Sequence, residues 1–430
     1  MKLKKTIYES LLISVFAFSI VISFSIKVSA KPGLPVHNTD TKLDYMTIQE
    51  AIDSPKTLDG HIIFVRSGTY YEHVIIRKDL SLIGEDKNTT IIDGSENGTV
   101  ISIESVSYSR ISGFTIQNSG RWYSGLPLLK SIGISVLDSE GVVLDQNIIK
   151  ATEYGIYFAN SSGSTIYDNI LTANDDYDIY FNQSKNLIVS ENSIFDSRGQ
   201  SGIFMKSSFH NIIDRNTISL GFGNAITLEH SYENIVENNW LTEKSWDGID
   251  LWDSYNNTIA GNTIEKNWRG IVLDDARDNK MYHNNFIDNK DTTGIMRQIV
   301  IYGSNNTNMW DDSLGRGNYW SDYKGQDLNN NSIGDTLYLI DEKNQDNYPL
   351  MKPLVIPQEK MRILYNELLS DYDSLQTEYV DLESKQEHTI NELNTVRNLM
   401  HIFIATTAIC LIMTAYLIIR KSKVSNQLRK

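Results

Sequence analysis

Three carboxylates in the middle of the chain are spaced so that they could act together on a sugar. Glu229 and Asp250 are 21 residues apart, and Asp274 follows 24 residues after Asp250. In stacked parallel strands, with neighbouring strands ~4.8 Å apart and alternate residues ~6.8 Å apart, Asp250 would lie roughly 8 Å from each of the others. Carboxylates at that separation can cleave a glycosidic bond with inversion, one as the acid and the other as the base. These three residues are the candidate catalytic groups.

Aromatic and basic side chains recur beside these carboxylates at the same spacing. Aromatic rings offer apolar faces on which a sugar can stack, and carboxylates accept hydrogen bonds from its hydroxyl groups. The candidate carbohydrate-binding residues are Tyr157, Tyr180, Phe204, Lys206 and Trp252. An acidic, tyrosine-rich repeat protein also scatters such groups over its surface, so an ordinary solvated face is the alternative interpretation.

A short acidic segment farther along the chain has oxygen-bearing side chains at alternate positions. These are Asp327, Asn329, Asn331 and Asp335. Alternate oxygens in one loop can wrap around Ca²⁺, which prefers about six to eight oxygen ligands. Two parts of a common calcium loop are missing, because Ser332 stands in place of the glycine and Tyr338 in place of the bidentate glutamate. The segment is consistent with a calcium site and also with an Asn/Asp-rich turn.

Two ladders of identical residues run through the centre of the chain and must position these groups. The first consists of Asn147, Asn169, Asn192, Asn216, Asn239, Asn262 and Asn284. The second consists of Ile134, Ile156, Ile179, Ile203, Ile226, Ile249 and Ile271. Both have successive spacings of 22, 23, 24, 23, 23 and 22 residues. This period, with strand-like sequence inside it, predicts an all-β fold, a right-handed parallel β-helix of about ten rungs.

Each ladder has a predicted structural role. A β-branched residue once per turn favours a pleated strand in which that residue faces inward. The next residue and the third residue would then face outward, which places the candidate carboxylates and rings on one face. Asn tolerates the left-handed backbone conformation of a sharp corner, and its amide can stack on the Asn of the next rung.

The rest of the chain divides into segments of distinct composition. We predict a signal peptide at 1–30, an N-terminal cap with the first rungs at 31–117, regular repeats at 118–310, a closing segment at 311–357, a coiled-coil stalk at 358–400, a transmembrane helix at 401–420 and a cytoplasmic tail at 421–430. Residues 47–52 predict a short capping helix. Residues 120–129, with Arg121, Trp122 and Tyr123, predict an inserted loop, a common place for binding.

Both ends of the chain predict export and anchoring. Basic residues, an apolar run and small residues in that order are typical of a cleaved secretory signal, and an uncleaved anchor is the alternative. Residues 402–419 carry no charge and are long enough to span a bilayer, and the basic tail predicts a cytoplasmic C-terminus. Heptad spacing in the stalk predicts a coiled coil, through which a homo-oligomer could form. A single amphipathic helix is the alternative.

Charge and cysteine content exclude two classes of protein. A formal net charge of −15 and the lack of a basic stripe argue against nucleic acid as a partner. The single cysteine, Cys410, falls in the predicted membrane span, so an intrachain disulfide cannot form. The fold must therefore be stabilised by the stacking of its rungs.

Short motifs at both ends of the repeat region resemble those of a known family. The opening motifs are at 67–74, 80–86 and 92–94, and the closing motifs are at 317–323, 333–335 and 347–350. They are similar to NosD-type and related pectate-lyase-like proteins with PbH1 repeats, and the closing motifs resemble those of archaeal, especially methanogen, surface proteins. The resemblance covers roughly residues 41–352. It implies a right-handed β-helix of the carbohydrate-binding and sugar-hydrolase type.

The resemblance also raises the question of copper. Soft copper sites are built from Met, Cys or clustered His. His210, His230 and His283 are scattered along the chain, and the methionines form no short repeat. Copper is therefore disfavoured as a cofactor.

These features predict a single-pass, membrane-anchored cell-surface protein with its ectodomain outside. Its predicted role is glycan binding, with extracellular or envelope glycans as partners, or a structural role in the cell envelope. An extracellular polysaccharide lyase, hydrolase or epimerase is the alternative. A copper-maturation role of NosD type is a second, disfavoured alternative.

Overall fold

The computed structural model of the protein describes residues 34–120, 131–291, 293–355 and Lys385. The predicted signal peptide, residues 121–123, the coiled-coil stalk (apart from Lys385) and the membrane span lie outside this part of the chain. The chain divides into two units, Met1–Ile356 and Pro357–Lys430, and the fold described below is that of the first. No helix within the described residues is long and apolar enough to cross a membrane.

The described part of the first unit is a right-handed parallel β-helix of about nine turns, against the predicted ten. The all-β class and the right-handed β-helix of the prediction are therefore confirmed. Each regular turn contributes one short strand to each of three sheets, and strands of successive turns pair in parallel. Because β-branched residues dominate the strands and turn-forming residues the corners, the sequence favours this alternation locally.

Three sheets and one hairpin contain the strands of the described residues. Sheet 1 consists of β1 (Val36–Asn38), β2 (Leu43–Tyr45), β3 (Ile62–Val65), β6 (Ser81–Gly84), β9 (Arg110–Ser112), β12 (Val143–Asp145), β15 (Thr165–Tyr167), β18 (Ile188–Ser190), β21 (Ile212–Asp214), β24 (Ile235–Glu237), β27 (Thr258–Ala260) and β30 (Lys280–Tyr282). Sheet 2 consists of β4 (Gly68–Tyr70), β7 (Thr90–Asp93), β10 (Thr115–Gln117), β13 (Ile148–Lys150), β16 (Ile170–Thr172), β19 (Ser193–Ser197), β22 (Thr217–Gly221), β25 (Trp240–Thr242), β28 (Thr263–Glu265), β31 (Asn285–Ile287) and β33 (Tyr319–Trp320). Sheet 3 consists of β5 (Val74–Ile76), β8 (Ile101–Glu104), β11 (Ile132–Leu137), β14 (Tyr154–Ala159), β17 (Tyr177–Asn182), β20 (Ser201–Lys206), β23 (Asn224–Glu229), β26 (Asp247–Trp252), β29 (Arg269–Asp274) and β32 (Ile299–Tyr302). The hairpin joins β34 (Tyr338–Leu339) to β35 (Gln345–Asp346).

Inward side chains from the three sheets fill the interior of the β-helix. All seven isoleucines of the predicted ladder are completely buried, and each pairs with the next one along sheet 3. Because parallel pairing repeats from one rung to the next, a position that faces inward in one turn does so in the turns that follow. The register predicted from the Ile ladder is confirmed.

The predicted Asn ladder lies at the corner between sheets 1 and 2, with its amides buried and bonded to one another. Asn216 Nδ2 donates to Asn239 Oδ1 at 3.0 Å and to the Val189 carbonyl at 2.8 Å. Asn216 Oδ1 accepts from the backbone N–H of Asn192 at 3.0 Å. The predicted left-handed backbone at these asparagines is wrong, because the positive φ falls on the preceding residue, such as Arg215. Asn is needed for its side chain, which satisfies backbone groups left unpaired at the corner.

A second Asn ladder, which the sequence analysis did not identify, lies at the corner between sheets 3 and 1. Its amides bond in the same way, from Asn211 to Asn234 at 3.0 Å and from Asn257 to Asn279 at 3.0 Å. In earlier rungs other residues occupy this position, such as Leu187, whose N–H donates to Asn211 Oδ1. This second ladder therefore begins only halfway along the repeat region. Because Asn is absent from this position in the earlier rungs, the period is harder to detect in the sequence.

The short helix α1 (Ile48–Asp53) closes the N-terminal end of the β-helix, as predicted. Thr47 is its N-cap and forms a capping box with Glu50, which satisfies two of the backbone N–H groups left unpaired at the start of the helix. Ile48, Ala51 and Ile52 are buried in the core. The helix thus covers apolar surface that the first rung would otherwise expose.

Aromatic stacking closes the C-terminal end. The Trp320 ring lies 4.4 Å from the Phe286 ring and 4.1 Å from the Tyr338 ring, nearly parallel to both. Trp320 Nε1 donates to Asp346 Oδ2 at 2.9 Å, and Asn318 Nδ2 donates to the Met281 carbonyl at the end of the Asn ladder. The closing motif is thus a cap that continues the ladder and covers the last rung with a Trp ring.

Candidate carbohydrate-binding site

The outer face of sheet 3 carries three rows of side chains, because two consecutive residues near the start of several of its strands face inward. Gly202 and Gly248 face inward, where a Cβ would lie 2.8 Å from Ile218 Cγ2 and 2.4 Å from Ile264 Cγ2. The ladder Ile that follows each of these glycines also faces inward. The residue before each glycine, such as Asp247, is therefore turned outward and adds a row that strict alternation would not predict.

The three rows contain every predicted catalytic and carbohydrate-binding residue. Row 1 contains Tyr154, Tyr177, Ser201, Asn224, Asp247 and Arg269. Row 2 contains Tyr157, Tyr180, Phe204, Thr227, Asp250 and Val272. Row 3 contains Ala159, Asn182, Lys206, Glu229, Trp252 and Asp274. Rows 2 and 3 match the prediction, whereas row 1 was missed.

The tyrosines at one end of this face pack against one another. The Tyr157 and Tyr180 rings are stacked with centroids 5.4 Å apart, and the Tyr180 and Phe204 rings are stacked at 5.0 Å. Tyr177 meets the Phe204 ring at 4.9 Å in an edge contact. Because the faces of these stacked rings pack against one another, the column exposes mainly ring edges to a ligand. At the next rung the row 2 side chain is short, because Thr227 takes the place of an aromatic residue.

Carboxylates occupy the face beyond the aromatic column. Arg269 Nε and Nη2 donate to the two carboxylate oxygens of Asp247 at 2.5 and 2.8 Å, so this buried acid has a bidentate partner. Lys206 Nζ donates to Glu229 Oε1 at 2.6 Å. We call Glu229, Asp247, Asp250 and Asp274 the acidic patch.

Asp250 is the member of the acidic patch with the most perturbed chemistry. Burial, together with the smaller effects of the Asp247 and Asp274 charges, raises the pKa of its carboxyl to about 7. Arg269 and a hydrogen bond from Asn224 Nδ2 at 3.3 Å act in the opposite direction. Asp250 is therefore partly protonated near neutral pH and can either donate or accept a hydrogen bond.

Exposed indoles border the acidic patch on both edges. Trp252 in row 3 is 49% exposed, and Trp246 and Trp268, each just before row 1, are 37% and 39% exposed. The Arg269 guanidinium lies 4.8 Å from the centre of the Trp268 ring. Trp246 and Trp268 are 22 residues apart, so their period was a usable signal in the sequence. Such rings beside polar groups form a surface on which sugars can stack.

The predicted calcium residues lie together in one exposed loop and bond to its backbone. Asp327 accepts from the N–H groups of Asn331 and Ser332 at 3.1 and 2.8 Å. Asn329 Oδ1 accepts from the Asn331 N–H at 3.0 Å, and Asp335 Oδ2 accepts from the Leu328 N–H. Turns of this kind are typical of Asx residues. Calcium at this loop stays a prediction.

The described residues do not fit a copper site. No group of three or more His, Cys, Asp or Glu in this part of the chain could hold a metal ion. His210 and His230 pair with carboxylates of the following rung, and Met205 and Met281 are completely buried in the core. Soft ligands therefore do not converge on one point among these residues.

Comparison with known proteins finds similarity to a cell surface glycoprotein and to a NosD protein. Over 136 residues the chain is 32% identical to a cell surface glycoprotein of Methanothermus fervidus. The matched segment covers 32% of this chain and 17% of that protein. Over 81 residues the chain is 41% identical to a probable ABC transporter binding protein NosD of Stutzerimonas stutzeri, covering 19% of this chain and 17% of that protein. The chain thus spans about one sixth of the length of these relatives.

The solved structures that this chain resembles have low sequence identity to it. The A-module of a mannuronan C-5 epimerase from Azotobacter vinelandii is 14% identical, with a TM-score of 0.44 over 61% of this chain and 93% of that one. A family 28 exopolygalacturonase from Yersinia enterocolitica is 15% identical, with a TM-score of 0.45 over 63% and 66%. The profile of the family described as periplasmic copper-binding protein (NosD) matches residues 70–325, more than half of the chain. The chain is therefore a member of the NosD family.

Proposed function

We propose that this protein binds glycans on the outer face of sheet 3, at the cell surface or in the envelope. One observation carries the proposal: a short polar floor of Asn224, Thr227 and Asp250 lies on a face whose two edges carry exposed indoles, Trp246 and Trp252. Sugars present apolar C–H faces and hydroxyl groups together, and this arrangement offers a partner for each.

The relatives support a role outside the cytoplasm. One similar protein is named a cell surface glycoprotein, and the family is named after a periplasmic protein. We also propose that residues 402–419 anchor the chain in the membrane, because this uncharged segment is followed by a basic tail. A glycan-binding face would then be held at the outer surface of the cell.

The binding proposal is tested by screening the purified chain on a glycan array and measuring the affinity of each hit. Trp252→Ala and Trp246→Ala should each weaken binding about tenfold, because a lost ring removes apolar contact with the sugar. Tyr108→Ala is the matched control, since this 74% exposed ring precedes a strand of sheet 1. Failure of the wild-type chain to bind any glycan would contradict the proposal.

Glycoside cleavage is a second candidate function, favoured by the state of Asp250. Its carboxyl, with a pKa raised to about 7 by burial, could donate a proton to the glycosidic oxygen as the bond to the anomeric carbon breaks. Asp274, one rung on and two residues along, could take a proton from the water that attacks this carbon. Glu229 suits the base role less well, because Lys206 pairs with it.

Product release separates the two candidate functions. A binding protein should return each glycan unchanged, as we expect here. Shortened or unsaturated products that disappear in Asp250→Asn, with binding retained, would establish the enzyme instead.

A further inference from the structure

The charged groups on the outer face of sheet 3 are unequal in number and unequally paired. The acidic patch has four carboxylates, whereas the three rows contain two cations, Lys206 and Arg269. Both cations already bind carboxylates of the patch, Glu229 and Asp247. No basic group in the rows is therefore left to receive an anionic ligand.

Two acceptors of the patch remain available on this face. Among the described residues no donor pairs with the Asp274 carboxylate. Asp250 accepts one hydrogen bond, from Asn224 Nδ2 to its Oδ2, and its Oδ1 accepts none within this part of the chain. The exposed Trp252 lies in row 3 directly beside Asp274. A sugar ring stacked on Trp252 would thus place its substituents next to unpaired carboxylate oxygens.

We infer that this face selects basic or uncharged sugars and rejects uronic acids, with amino sugars as its best ligands. The inference rests on the proposed glycan-binding function and specifies its ligand class. An ammonium or hydroxyl group can donate to Asp274 and Asp250, whereas a uronate carboxylate can only accept and carries the same charge. Like charges at a partly buried site repel strongly, because water screens them little.

The test compares matched hexamers that differ in charge. Tryptophan fluorescence and calorimetry would follow binding of glucosamine, glucose, N-acetylglucosamine and galacturonate hexamers, all β- or α-1,4-linked, at one ionic strength. We expect the glucosamine hexamer to bind at least about tenfold more tightly than the neutral hexamers, and galacturonate at least about tenfold more weakly.

Variants show whether the acidic patch causes the preference. The double variant Asp250→Asn/Asp274→Asn should lose about tenfold in affinity for the glucosamine hexamer and gain affinity for galacturonate. Asp168→Asn is the control, because it removes one exposed carboxylate at the corner between sheets 1 and 2. It should change neither affinity, which separates a local effect from that of the net charge of −15.

The outcomes distinguish this inference from the function on which it rests. If galacturonate binds as tightly as glucosamine, the ligand class is wrong while glycan binding stands. If the preference for glucosamine is the same in the double variant and the control, the patch is not its cause and the inference fails. If no hexamer and no glycan on the array binds, the proposed function itself is wrong.

Discussion

Arg269 binds both carboxylate oxygens of Asp247 from the next rung of sheet 3, and this pair divides the acidic patch. The Asp247 side chain is almost completely buried, so its charge depends on the guanidinium for compensation. Asp250, three residues farther along the same strand, receives no such partner. Asp247 is thereby paired within the fold, whereas Asp250 has a raised pKa and lies beside the exposed indoles.

Removing this partner should destabilise the β-helix. Arg269→Gln leaves Asp247 buried without a cation, and we expect the free energy of unfolding to fall by about 3 kcal/mol. Chemical denaturation measures it, and adding Asp247→Asn to the variant should restore most of the loss. Arg215→Gln, which removes the ion pairs of a half-exposed guanidinium with Glu191 and Asp214, should cost less than about 1 kcal/mol. Equal losses in the two single variants would contradict this interpretation.

The pKa of Asp250 predicts a change of stability with pH. Native Asp250 keeps its proton up to about pH 7, whereas the ordinary value for an unfolded chain is 3.8. Between these values the native state binds more protons than the unfolded state, so the contribution of Asp250 to stability falls as the pH rises.

Asp250→Asn should remove this dependence. The variant should match the wild type at pH 4 and exceed it by on the order of 2 kcal/mol at pH 8, because the cost of a buried charge is gone. Thermal unfolding across this pH range, with Asp168→Asn as the control, measures the difference. A variant that is no more stable than the wild type at pH 8 would show that Asp250 is not held protonated.

The core and the Asn ladder should respond differently to substitution. Ile226→Asp buries an unpaired charge in a completely buried position and should cost several kcal/mol or prevent folding. Asn216→Ala removes an amide that bonds to two neighbouring rungs and should cost about 3 kcal/mol, because buried backbone groups lose their partners. Thermal melts of both, with the exposed Asn88→Ala as a control, test this order. An unchanged melting temperature for Ile226→Asp would mean that the register is wrong.

The predicted topology can be tested on intact cells. Residues 31 to about 400 should lie outside and residues 420–430 inside, because the basic tail follows the uncharged segment directly. External protease should therefore release a large soluble fragment that begins near Lys31, while a tag placed after Lys430 stays protected. Protection of the whole chain, or a mature protein that still begins at Met1, would refute the prediction.

The sequence alone determined the fold, the register and two of the three outward rows. In a parallel stack each residue lies beside the one a period later, so repeats of Ile and Asn align every other position with them. Tyr157, Asp250 and Trp252 could be assigned to one face for this reason, and the structure confirms their rows. The sequence also predicted the capping helix at residues 47–52 from its local amphipathic pattern, and the structure shows a capping box at its start.

Tertiary structure decided what depends on departures from strict inward–outward alternation and on contacts between rows. Because the glycines near the start of the sheet 3 strands face inward, the row 1 residues before them face outward. Asp247 therefore joins the acidic patch with Arg269 bound to it, an arrangement that strict alternation does not predict. Likewise the tyrosines were expected to face a ligand, but neighbouring rungs lie close enough for Tyr157 and Tyr180 to stack on each other. Period fixes which residues are neighbours, whereas side-chain packing fixes which atoms of those neighbours remain open to a ligand.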